Sequence, residues 1–162
     1  MDFTAFLGFL GFASLCLLAA SSGAIFRPGD WYAGLAKPRW RPPNWLFGPV
    51  WMVLYCMIAV SGWLIWRKVG FVAGAVPLGI YLFQLVLNAM WSAICFGMRR
   101  LDLALFQMMA LWLSIAATIA AFYPIDRMAA YLLLPYIAWV SVAMLLNYSI
   151  WRLNRASLAV PH

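Results

Sequence analysis

WYAGLAKPRWRPPNWLFGPVWMVLY, residues Trp31 to Tyr55, is the stretch whose reading decides the fold. Trp31, Trp40, Trp45 and Trp51 stand in it beside Pro38, Pro42, Pro43 and Pro49, with Lys37, Arg39 and Arg41 between them. Proline lacks a backbone donor and pushes the preceding residue out of the helical region. Trp31 to Pro43 is therefore predicted to be extended or turned, not helical, and to separate two hydrophobic spans. Amphipathic rings suit a membrane–water interface, where one side is wet and the other apolar. This much ring surface joined to rigid prolines exceeds what a connector needs, so the segment reads as a structured lid over a pocket.

Outward from it the chain is overwhelmingly apolar. It is 67% hydrophobic and 9% charged over 162 residues, with a mean hydropathy of +0.92. A soluble domain of that size cannot hide so much apolar surface, so the composition is that of an integral membrane protein. Asp2, Asp30, Asp102 and Asp126 are the only acidic residues, and the net charge is +7. The cations fall at span ends, where membrane topology accounts for them better than nucleic acid does.

Five spans are predicted: Phe3 to Phe26, Asn44 to Trp66, Phe71 to Gly97, Leu101 to Phe122 and Met128 to Trp151. Each is long enough for a hydrocarbon core of about 30 Å. Ala19 to Ala24 resembles a signal cleavage site, but Asp2 and the lack of early cations favour a retained helix. Pro77 falls in the first turns of its span, Tyr123 to Asp126 forms a short turn, and Pro135 is expected to kink the fifth span. After Arg152 the tail reads as short and polar. The linkers leave no room for a second domain, so residues 1–162 read as one all-α five-transmembrane-helix bundle with a structured loop between helices 1 and 2. Eight cations, Arg27, Lys37, Arg39, Arg41, Arg99, Arg100, Arg152 and Arg155, fall on the side of the first loop and the C-terminus. Three, Arg67, Lys68 and Arg127, fall opposite, which places the first loop and C-terminus in the cytoplasm.

Cys16, Cys56 and Cys95 lie in apolar runs without metal-binding spacing and read as small buried hydrophobes. His162 is the one histidine, so no metal site is expected within the membrane. Gln84, Asn88 and Trp91 share a helical face, as do Phe47, Trp51 and Tyr55, and as do Pro135, Trp139, Ala143, Asn147 and Trp151. Gln107, Ser114 and Thr118 lie on roughly one side of the fourth span. Interhelical hydrogen bonding would account for each amide singly, at about 0.6 kcal/mol on average. Together with the tryptophans they point to a largely apolar cavity with a few neutral polar anchors. No Asp, Glu, Lys, Arg or His stands near the middle of any span, as ion-coupled carriers require, and no catalytic triad or carboxylate pair is available.

The chain resembles the translocator protein family, also called tryptophan-rich sensory proteins or peripheral-type benzodiazepine receptors. The resemblance runs from the first span to Arg152. It rests on Trp31-Tyr32-Ala33-Gly34-Leu35 with Lys37-Pro38-x-Trp40-x-Pro42-Pro43, and on Gly48-Pro49-Val50-Trp51 with Tyr55. Further on stand Gln84-Leu85-x-Leu87-Asn88-x-x-Trp91, Phe96-Gly97, Pro135-Tyr136-x-x-Trp139 and Leu146-Asn147-Tyr148. After Trp91 the chain departs from the family's common proline pair and phenylalanines, with Ser92, Ala93, Cys95 and Phe96.

The resemblance implies a dimeric five-helix bundle with a pocket under the first loop. The implied ligands are porphyrin or haem, cholesterol, and isoquinoline- or benzodiazepine-type drugs, with no obligatory cofactor and no nucleic acid. The implied role is a receptor, sensor or carrier for tetrapyrroles. The alternatives are light-dependent porphyrin degradation, with Trp51 and Trp139 as candidate catalytic groups, and a lipid-interaction or scaffold protein. The resemblance leaves inner and outer membrane open: some bacterial members of the family are placed in an outer membrane, whereas a helical bundle suits the inner one. The expected ligand-binding residues are Trp31, Trp40, Trp51, Tyr55, Asn88, Trp91, Trp139, Ala143 and Asn147. Lys37, Arg39 and Arg41 are expected at the rim, facing propionates. Leu146, Tyr148 and Arg152 fit a weak sterol pattern, and Gly74, Ala75 and Gly79 mark a dimer face.

Overall fold

The computed structural model describes residues 3–158, so Asp2 and His162 lie outside the described residues. Five helical spans are long and apolar enough to cross a membrane: Phe3–Ile25, Asn44–Ala73, Ala75–Gly97, Leu101–Phe122 and Arg127–Arg155. The helices are α1 (Phe3–Ile25), α2 (Asp30–Gly34), α3 (Asn44–Ala73), α4 (Ala75–Ser92), α5 (Leu101–Phe122), α6 (Arg127–Leu132) and α7 (Leu134–Leu158). Around the bundle, α1 packs between α3 and α4, α4 packs on α5, α5 packs on α7, and α3 closes the ring against α6 and α7. Large apolar side chains such as Leu18, Val72, Phe106 and Leu113 face outward, as a lipid solvent permits.

Several boundaries differ from expectation. Trp31 to Gly34 belongs to the helical turn α2, because the backbone restriction imposed by Pro38 reaches back only to Lys37. The chain then turns extended at Leu35 and is extended again at Pro43. α3 does not stop at Trp66 but continues to Ala73. Arg67 lays its guanidinium over the Trp63 ring at 4.7 Å, and Lys68 reaches the Asp126 carboxylate at 3.3 Å. Cations at a span end thus snorkel while the helix runs on. The break comes at Gly70, whose φ of 69° is open to glycine and strained for other residues. The third span consequently begins at Ala75, with Pro77 in its first turn.

Beyond Ser92 the same helix widens into a π-helical turn, Ala93–Gly97, in which the Met98 amide donates to the Ala93 carbonyl at 2.8 Å. The span after Asp126 breaks at Leu133, just ahead of Pro135, which is the expected kink. The Asp126 carboxylate caps α6 by accepting from the Ala129 amide at 3.0 Å. That bond first, and Lys68 after it, hold the carboxyl below its usual range against partial burial. α7 continues past Arg152 as far as Leu158.

The core is built on Tyr81. It is fully buried, donates to the Ile58 carbonyl at 3.1 Å and stacks on Phe122 at 5.9 Å. Phe12 meets its edge at 5.8 Å. Both rings lie against Gly62, where an added Cβ would fall 2.7 Å from Tyr81 and 2.8 Å from Phe12. The first half of α1 is fastened to the far half of α3 in the same way. Gly8 lies under Trp66, Phe9 meets Trp63 at 6.0 Å, and the Trp63 indole donates to the Ala5 carbonyl at 2.9 Å. Overpacking such a contact costs about 1–3 kcal/mol. Gly62→Ala is expected to lower the thermal unfolding midpoint in detergent, whereas Gly11→Ala, where nothing lies within 4 Å, leaves it in place.

Candidate functional site

A cavity of about 830 Å³ opens beneath the first loop, walled by α1, α3, the end of α4 and α7. Its wall is mostly aromatic and aliphatic. Trp51, Tyr55, Asn88, Trp91, Ala143 and Asn147, all expected from helical spacing, line it together. Phe47, one side of α1 from Phe9 to Gly23, and Cys56, Cys95 and Phe96 complete it.

A chain of hydrogen bonds sets the inner wall. The Tyr55 hydroxyl donates to Asn88 Oδ1 at 2.6 Å. Asn88 Nδ2 donates to the Tyr136 hydroxyl at 2.7 Å, and that hydroxyl donates to Gln84 Oε1 at 2.9 Å. Three helices, α3, α4 and α7, are thereby held in one register. Trp51 covers this chain, with its ring 5.5 Å from Tyr55 and 6.2 Å from Tyr136. Asn147 anchors the other side by donating to the Leu101 carbonyl at 3.3 Å. The polar residues of α5 serve packing instead. Gln107 donates to the Leu87 carbonyl, while Ser114 and Thr118 bond to their own helix.

The loop roofs the cavity with Pro28, Tyr32 and Arg41. Tyr32 meets Phe96 edge-on at 5.2 Å, and Phe96 meets Trp91 at 5.5 Å, so the roof is stacked onto the wall. The middle of the loop is clamped by α7. The Ala36 amide donates to Asn154 Oδ1 and Asn154 Nδ2 donates back to the Ala36 carbonyl, both at 2.9 Å. The side-chain amide thus pairs with a backbone peptide as a neighbouring strand would.

Not every expected residue reaches the cavity. Trp31 packs below the loop with Tyr32 and Leu35 against the cluster of Leu101, Leu146 and Ile150, and Trp40 is 52% exposed. Neither lines the cavity. Trp139 stands behind Phe47, ring to ring at 5.5 Å, rather than on the wall. Of the three rim cations only Arg41 lines the cavity, and it is the one charged residue among the described residues that does. Lys37 folds back onto the carbonyls of Ala33 and Leu35 and over the Tyr32 ring at 4.9 Å. Burial first and Arg41 second pull it below the ordinary lysine range. Arg39 is exposed away from the cavity.

Leu146 points inward to the cavity while Tyr148 and Arg152 face outward, so the sterol pattern is split between two faces. Gly74 is buried in the α3–α4 turn under the Gly70 carbonyl, which removes it from any outer face, whereas Ala75 and Gly79 are exposed. Cys56 also corrects expectation: it is exposed, while Cys16 and Cys95 are buried. Asn154 escapes sequence reasoning because it lies beyond the expected span end. An asparagine one helical turn beyond Ile150 is the signal that could have found it.

The comparisons with known proteins agree on one family. The TspO/MBR family model matches residues 12–152. The translocator protein of Homo sapiens is 42% identical over 150 residues, covering 90% of this chain and 89% of the relative. Protein CrtK of Rhodobacter capsulatus is 39% identical over 144 residues, covering 86% and 88%. The tryptophan-rich sensory protein of Cereibacter sphaeroides is 37% identical over 154 residues, covering 95% and 94%.

Removing the Asn154 amide leaves the Ala36 peptide without its partner. Losing such a bond costs about 0.5–1.5 kcal/mol, and more where the peptide stays buried. Asn154→Leu is therefore expected to raise protease cleavage within residues 33–41 while the melting midpoint of the bundle moves little. Unchanged cleavage would show that the loop is held elsewhere.

Proposed function

The chain belongs to the TspO/MBR family, and on that premise we propose that its cavity binds flat, hydrophobic tetrapyrroles, porphyrin or haem, through stacking on the aromatic wall. It is a multi-pass membrane receptor of the translocator type. The observation that carries the finer reading is a cavity of about 830 Å³ walled by rings, with a single cation among the described residues, Arg41, at its loop end. A macrocycle stacks on Trp51, Tyr55 and Trp91 and buries most of its area. Its carboxylates meet Arg41, and a nearby carboxylate also relieves the repulsion between Arg41 and Lys37. No described wall residue is a histidine, and the ring-rich wall supports recognition through the macrocycle's faces.

Light-dependent degradation of porphyrin, the alternative, would use Trp51 and Trp139. Only Trp51 lines the cavity, which favours binding over that chemistry. The charge bias favours a cytoplasmic side for the loop and the C-terminal end of α7, and the Ala36–Asn154 clamp supports a common side for both.

Ala143 is 8% exposed and lines the cavity four residues after Trp139. Ala143→Leu is expected to weaken protoporphyrin binding, read by tryptophan quenching, by about 1–3 kcal/mol. Unchanged affinity would count against a fitted pocket at this point.

We also propose a homodimer through the outer face of α4. Ala75 and Gly79 are exposed there, and a Cβ added at Gly79 would meet nothing within 4 Å. They therefore do not serve contact with α1, and small residues favour close helix approach in lipid. Gly79→Leu is expected to abolish crosslinked dimer in bilayers while protoporphyrin binding persists. A dimer that survives the change refutes this face.

A further inference from the structure

The ring contacts and hydrogen bonds between α1 and α3 are gathered in one half of the helix pair. Every ring contact and hydrogen bond between them among the described residues involves Ala5, Phe9 or Phe12 of α1 and Trp63 or Trp66 of α3. Toward the loop the two helices no longer meet through such contacts. There Leu17, Ala20 and Gly23 of α1 and Gly48, Met52 and Cys56 of α3 line the cavity instead. Most of these residues are also strongly exposed, Leu17 and Met52 each at 69%, whereas the wall residues Trp51 and Tyr55 are only partly so, so the cavity alone does not account for their exposure. A residue that lines an interior cavity and also faces outward marks an edge of an opening. Gly48, Met52 and Cys56 recur every fourth residue, which keeps these three on one face while the row drifts round the helix axis. Its neighbours outside the bundle are apolar, with Leu18 and Val53 exposed beside it. The opening therefore faces hydrocarbon.

We propose that the slot between α1 and α3 is a lateral entrance by which the ligand passes between the bilayer and the cavity without crossing the loop. This rests on the reading of the cavity as a binding site. The ligand class follows: a lipid-soluble amphiphile delivered from within the membrane. The small residues at Gly48 and Ala20 keep the passage open. At Gly48 an added Cβ meets nothing within 4 Å, so a larger side chain fits there without disturbing the bundle.

That open space provides the test. The protein is reconstituted in liposomes, protoporphyrin is supplied in the same bilayer, and association and dissociation are followed by tryptophan quenching. Gly48→Leu narrows the slot, and Met52→Phe does so independently from deeper along the same edge. Both are expected to slow association and dissociation by a similar factor of about ten, equivalent to about 1.4 kcal/mol of added barrier. The equilibrium constant then moves much less than either rate. Val53→Phe, on the lipid face and off the cavity wall, is the control and is expected to keep wild-type rates. Wild-type rates in both slot variants, with binding intact, overturn the entrance and leave the binding site standing. Loss of equilibrium binding in both variants makes these residues part of the binding surface and also overturns it. Absence of saturable quenching in the wild-type protein removes both proposals.

Discussion

The hydrogen-bonded row from Tyr55 through Asn88 and Tyr136 to Gln84 is the constraint on which the bundle's interior depends. Water inside a bilayer is not available to replace a lost partner, so polar groups on packed helices must find one another. The row has a fixed direction. The Tyr136 hydroxyl donates to Gln84 and so accepts from Asn88, whose carbonyl is then left to accept from Tyr55. A helix sliding or rotating by one residue would break at least one link and strand an amide in an apolar wall. The cavity stays open because its deepest wall is fixed in this way, and the rings of Trp51 and Tyr55 are fixed with it.

The span count, the kink at Pro135 and the inward faces of α3, α4 and α7 are legible in the sequence because each carries periodic polar or aromatic marks on an apolar background. α1 is not legible as a wall. It is apolar on nearly every face, so its pattern has no phase, and nothing distinguishes Leu17, which borders the cavity, from Leu18, which faces lipid. Spacing also gives direction without depth. Trp139 shares a face with Ala143, yet Phe47 stands between it and the cavity. Span ends mislead for a third reason. Arg67 and Lys68 look like a stop, but long side chains let a charge reach a ring or a carboxylate while the backbone stays helical, and the stop is Gly70.

The first loop is held by three kinds of force at once. Aromatic edges set Tyr32 on Phe96, an amide pairs Asn154 with Ala36, and Lys37 is turned back onto the carbonyls of the loop's own helix. Prolines make the segment stiff, but stiffness alone does not place it. Placement comes from α7, through a partner 118 residues away in sequence, so the roof moves with the wall that carries Ala143 and Asn147. One consequence is chemical. Of the loop's cations, Lys37 is tied up and Arg39 is turned away, leaving Arg41 to face what lies beneath.

The edge of α3 from Asn44 through Gly48, Met52 and Cys56 to Val60 takes four steps of four residues, about 24 Å of helix. Steps of four residues overshoot a full turn by about 40°, so this edge winds round the helix as it descends. Asn44, Gly48, Met52 and Cys56 are exposed, whereas Val60 is partly covered. The row is therefore exposed over its first four members and partly covered at the fifth. On the proposal of a lateral entrance, a disc-shaped molecule would pass edge first, with its plane along the helix axes. Amphiphiles in a bilayer keep their charged end at the water and their apolar body among the chains. On the proposed lateral route, a bilayer would present a flat acid with its carboxylates toward the loop end of the cavity, where Arg41 stands.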